Sequence, residues 1–133
     1  MRPAICGPKL RRARRAAHAH GRHVVQRAAP DGRGFATRCS HFAALLRVRM
    51  KRLSLSSAST RWGSASVDGS IRLNWRLVHF GLPVIDYVVV HELCHLQVRN
   101  HSKDFWNKVR AVMPDYKERA RWLRVNGHLL RLD

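Results

Sequence analysis

Residues 83–106 read PVIDYVVVHELCHLQVRNHSKDFW, and both fold and chemistry turn on this stretch. Its centre is His91-Glu92-Leu93-Cys94-His95, with His101 six residues beyond. Two histidines four apart on a helix stand one above the other on one face, so both imidazoles can reach a single ion. Glu92 follows the first of them, where a carboxylate can act on a water held by that ion.

The surroundings suit such a site. Gly81-Leu82-Pro83 stops whatever precedes it, and Pro83 fits the first position of a new helix. From Val84 the pattern is apolar nearly all round, through Ile85, Val88, Val89, Val90, Leu93 and Leu96, which marks a buried helix. Burying His91, Glu92 and His95 together is costly unless they satisfy one another or a metal, and their chemistry suits Zn²⁺. A catalytic zinc site takes three protein ligands and leaves a fourth position open. His101 is the best third ligand. Asn100 can end the helix in a left-handed C-cap, and Ser102 reads as the N-cap of the next helix, with Asp104 in its first turn. A short H-E-x-x-H pattern alone arises by chance in many proteins. The buried helix, the third histidine and the cap together point to one Zn²⁺ per chain on His91, His95 and His101, with Glu92 as general base. Cys94 points off the metal face and reads as core; His41, His79 and His128 read as structural or exposed.

Upstream, Phe35–Leu46 spaces Phe35, Cys39, Phe42, Leu45 and Leu46 as an amphipathic helix. Lys51–Leu55 alternates like a half-buried strand, with Leu53 and Leu55 on one face. Two further strand-like runs, 60–66 and 70–75, flank Asp68-Gly69, a hairpin signal because glycine accepts the positive φ such turns require. The expectation is three short antiparallel strands, the last two forming the hairpin, with Ile71 and Leu73 inward. Gly63 within a strand signals a bulge or a close backbone approach. Trp62 and Trp75 read as core aromatics or as apolar cleft walls, and Asn74 and Arg76 are candidates for stabilising an oxyanion. The exposed edge of the hairpin can hold an extended peptide by strand addition. Downstream, Lys103–Met113 and Tyr116–Val125 read as two further helices, separated by Pro114, with Gly127 as the last C-cap.

At 133 residues there is room for one domain, and no apolar run approaches the ~18 residues of a membrane-spanning helix. Three widely spaced cysteines suit reduced thiols in a cytoplasmic protein better than a disulfide framework. The net charge of +18 attracts polyanions and admits nucleic acid as a partner. Residues 1–34 hold nine Arg or Lys against the single acid Asp31 and show no sustained period. They read as a basic extension ahead of a domain over 35–133.

The runs Arg61-Trp62-Gly63-Ser64, Leu73-Asn74-Trp75-Arg76-Leu77 and Ile85-Asp86-Tyr87-Val88-Val89, then His91–His95, Asn100-His101-Ser102 and Phe105-Trp106, resemble the YgjP-like zinc metallopeptidases, relatives of the SprT-like peptidases. The resemblance spans about residues 35–133. It implies a zincin-type α+β fold, with a small antiparallel sheet packed on the H-E-x-x-H helix and two C-terminal helices. It also implies His91, His95 and His101 as zinc ligands, Glu92 as catalytic base, and a peptide or protein substrate. Family members usually carry strand-rich sequence where this chain has its Arg-rich opening, so the chain reads as a shortened or mis-started member. The alternative is a basic nucleic-acid-associated protein in which the zinc is structural, or a hydrolase inactive through truncation.

Overall fold

Helix α2, Leu82–Cys94, is the element on which the others pack, as its all-round apolar sequence demands. The computed structural model describes residues 33–57 and 61–127. In chain order these form α1 (Arg33–Leu46), β1 (Arg52–Ser56), β2 (Gly63–Ala65), β3 (Ser70–Asn74), a 3₁₀ turn (Trp75–His79), α2, α3 (Lys103–Val112) and α4 (Tyr116–Asn126). The expected extension over residues 1–34 lies outside the described residues except for Arg33 and Gly34, which open α1. His128 also lies outside them.

Phe35, Cys39 and Phe42 bury the predicted face of α1, and Leu46 is half-buried. Leu45 departs from that face and is 53% exposed, one position too far round the helix. Arg47 follows at φ 58°, with its N–H donating to Ala44 O and that of Val48 to Ala43 O. This pair of bonds is a Schellman close, with arginine where glycine is usual. Arg38 ties α1 to α2 through two 2.8 Å bonds to the carboxylate of Asp86.

The sheet corrects the all-antiparallel expectation. Its order is β1-β3-β2: β2 pairs with β3 antiparallel, as the hairpin signal requires, but β1 pairs with β3 in parallel. The connection from β1 to β3 contains β2 itself, so β3 returns into the gap between the other two. Alternation along a strand determines which face is buried, not which neighbour it joins or in which direction. The hairpin turns at Gly69, φ 98°, whose N–H donates to Ser66 O, while Ser66 N–H donates to Ser70 O. Ile71 and Leu73 are fully buried beneath the sheet.

Gly81 caps the start of α2, so Pro83 takes the second helical position rather than the first. Residues Val84–His95 are buried without a break. The helix also stops sooner than expected. His95 is its C-cap, and the N–H groups of His95, Leu96 and Gln97 donate to Glu92, Leu93 and Cys94, three residues back. That tighter 3₁₀-type turn satisfies end carbonyls without a left-handed residue. Asn100 accordingly has no positive φ; its Oδ1 accepts from Ser102 N–H in an Asx turn.

Candidate metal centre

His91 and His95 point the same way from the end of α2, as their spacing dictates. The corner after α2 returns His101 to them. Ser102 holds that corner by capping α3, its Oγ accepting from Phe105 N–H at 3.4 Å, with Asp104 in the first turn. Nε2 of His101 lies 3.1 Å from Nε2 of His95 and 3.2 Å from Nε2 of His91. These are the separations that one ion would impose. Three nitrogens at ~2.0–2.1 Å from a tetrahedral Zn²⁺ stand about 3.3 Å apart.

The outer nitrogens support the same arrangement. Nδ1 of His95 lies 2.9 Å from Val98 O; a carbonyl can only accept, so Nδ1–H donates and Nε2 keeps its lone pair facing inward. The hydroxyl of Tyr87 lies 3.4 Å from Nδ1 of His91. Burial, then the neighbouring His95 and His101, hold His91 well below the usual imidazole value. Burial also lowers His95, despite the bond to Val98. Neutral imidazoles are the form that binds metal. The donor set therefore fits a zinc ion.

Glu92 is fully buried beside the triad. Strand β2 crosses it closely: a Cβ built on Gly63 would lie 3.1 Å from Glu92 Cγ. Of the two readings for Gly63, close approach is the one observed, and the approach is to Glu92.

Apolar spacing and charge do not tell what Phe105, Trp106 and Arg99 touch. Phe105 lies against all three imidazoles, stacked on His95 at 4.5 Å and edge-on to His91 and His101 at 5.0 and 5.1 Å. Trp106 stacks on His101 and on Tyr116. Arg99 bridges the centre to the sheet, donating from Nη1 to His95 O at 3.0 Å and from Nη2 to Ala65 O at 2.8 Å.

The remaining candidates have other partners. Trp62 is 2% exposed and packs edge-on to Phe80, which is the core reading, whereas Trp75 is half-buried. Asn74 caps the 3₁₀ turn: Oδ1 accepts from Arg76 N–H and Nδ2 donates to Arg61 O. The guanidinium of Arg76 lies over the Trp75 ring. Cys94 is buried as expected, His41 is exposed, and His79 is half-buried against Trp75.

The architecture has solved counterparts. The crystal structure of the metallopeptidase zymogen abylysin of Pyrococcus abyssi matches with a TM-score of 0.61 at 24% identity, covering 73% of this chain and 96% of that one. The zymogen of Methanocaldococcus jannaschii jannalysin matches with a TM-score of 0.59 at 18% identity, covering 69% and 94%. No curated protein matches the chain. Residues 9–126 match the model of the YgjP-like metallopeptidase domain, and the chain belongs to that family of metallopeptidases.

Proposed function

We propose that the protein hydrolyses peptide bonds with one zinc ion held by His91, His95 and His101, and with Glu92 as general base. The convergence of three Nε2 atoms at 3.1 and 3.2 Å beside a buried carboxylate carries this reading. A zinc ion held there would supply Lewis acidity, bringing the pKa of a water to about 7 and polarising a carbonyl. Glu92 takes the proton of the attacking water and returns it to the leaving amine, a contribution of roughly 10²–10⁴-fold. Val98 O holds the His95 ring in the ligating tautomer. Strand β2, an end strand of the sheet and in contact with Glu92, offers its outer edge to an extended substrate chain. Both solved counterparts are metallopeptidase zymogens.

Metal analysis tests the ligand set. Wild type should carry about one zinc per chain, and the double variant His91→Ala, His95→Ala none. Zinc retained by the double variant would sink the assignment.

The net charge of +18 favours a second reading, a nucleic-acid-associated protein with a structural zinc. Salt-dependent DNA binding that survives deletion of residues 1–34, with no hydrolysis of any peptide library, would select it. The free thiols of Cys39 and Cys94 support a reducing, cytoplasmic setting, which cell fractionation tests. No helix among the described residues is long and apolar enough to cross a membrane.

A further inference from the structure

The geometry points to Arg99 as a carboxylate-binding subsite that ends the substrate edge, selecting peptides with an acidic group where the bound strand meets Ala65. The inference rests on the peptidase reading and specifies its substrate class. Its starting point is the register of the hairpin. Asn74 N–H donates to Trp62 O, and Ser66 N–H donates to Ser70 O, so residues 62, 64 and 66 direct their backbone groups to β3. By the alternation of an antiparallel ladder, Gly63 and Ala65 direct theirs to the outer edge. That edge holds four groups, an N–H and a C=O from each residue.

Among the described residues, one of the four accepts a side-chain hydrogen bond. Ala65 O accepts from Arg99 Nη2 at 2.8 Å, while Nη1 donates to His95 O at 3.0 Å. Gly63 is buried and Ala65 half-buried, so a chain reaching β2 meets this edge at its Ala65 end. Where the next backbone bond would form, it meets a guanidinium instead. That cation is exposed, and it is pinned at two points between the sheet edge and the last turn of the metal helix. A guanidinium already held in place loses little freedom on binding, and its planar fork matches a carboxylate. A charge-assisted bond of this kind is worth roughly ten- to a hundredfold in selectivity. The carboxylate can come from an Asp or Glu side chain or from the end of the peptide chain.

General attraction to the +18 protein would favour acidic residues anywhere in a peptide. A subsite at Arg99 favours them at one position only. The test gives zinc-loaded wild type, Arg99→Gln, Arg99→Lys and Arg99→Glu two random decapeptide libraries, one with free C-termini and one amidated, and the products are sequenced. Wild type should enrich Asp or Glu at one fixed distance from the cut by roughly ten- to a hundredfold. If the chain terminus is the ligand, it should instead lose those cuts on amidation. Arg99→Lys, which keeps the charge but not the fork, should weaken the preference without reversing it, Arg99→Gln should erase it, and Arg99→Glu should turn it towards Lys and Arg. A preference unchanged in Arg99→Gln overturns the proposal. So does an equal loss on all peptides in the Gln and Lys variants, which would make Arg99 a structural strap only. Cleavage by wild type without positional acid selection overturns this proposal alone, whereas no cleavage at all overturns the peptidase reading with it.

Discussion

Phe105 touches His91, His95 and His101 together, so one apolar ring sets the relative orientation of all three imidazoles. Phe105→Leu keeps the apolar volume but loses the flat face. Zinc affinity, measured by competition with a chromophoric chelator, should fall by roughly 10–100-fold, the usual cost of disturbing groups that orient metal ligands. Unchanged affinity would reduce Phe105 to ordinary core. The depressed His91 and His95 also make the metal-free fold pH-sensitive. Both take up protons less readily in the folded chain than in the unfolded chain, where they do so near the usual value of 6.5. Their stability contribution is therefore present above that pH and lost as pH falls towards the folded values. With zinc chelated, the urea midpoint should drop between pH 7.5 and 5.5; a constant midpoint would contradict the burial of neutral histidines. Burial pushes the thiols of Cys39 and Cys94 up to about 12, so neither should be alkylated in the native state at pH 8, as peptide mapping would show. At this scale the sequence made the triad and Glu92 legible, because an i, i+4 pair and a capped corner are local signals. Phe105 and Arg99 were not legible in their roles. Apolar spacing says that Phe105 is buried but not against what, and the partner of Arg99 at Ala65 lies 34 positions away.

Elements that meet at a distance were harder to read than elements that form locally. The hairpin was visible in Asp68-Gly69, and α1 to α4 in their apolar periods. The parallel pairing of β1 was hidden, since its alternation is the same whichever neighbour it joins. The early end of α2 was hidden as well, because a 3₁₀-type turn needs no special residue. The contact of β2 with Glu92 makes Gly63 the sensitive point of the sheet. A methyl there would press on Glu92 Cγ at 3.1 Å and on Arg72 O at 3.2 Å. Gly63→Ala should cost about 1–3 kcal/mol in unfolding free energy and reduce hydrolysis while zinc remains bound. Full activity with unchanged stability would mean the strand does not lie against Glu92. At the end of α1, Arg47 holds a left-handed backbone that glycine adopts without penalty. Arg47→Gly should therefore stabilise, by up to ~1 kcal/mol once the looser unfolded chain is allowed for, read as a higher urea midpoint.

For the whole molecule, fold and chemistry have a common centre. The helix that carries His91, Glu92 and His95 is also the one that α1, α3, α4 and the sheet pack against, so the site is built into the core. Zinc should then stabilise the fold as well as activate it, adding about 2.7 kcal/mol when present at a hundred times its dissociation constant. The charge of +18 bears on partners and association rates rather than on this architecture. The central claim, that the triad holds zinc while Glu92 performs the proton transfer, is tested most directly by one paired measurement. Zinc content and digestion of a peptide library are compared between wild type and Glu92→Gln. The expected result is about one zinc per chain in both proteins, with hydrolysis in wild type alone. Full hydrolysis by zinc-loaded Glu92→Gln would contradict it.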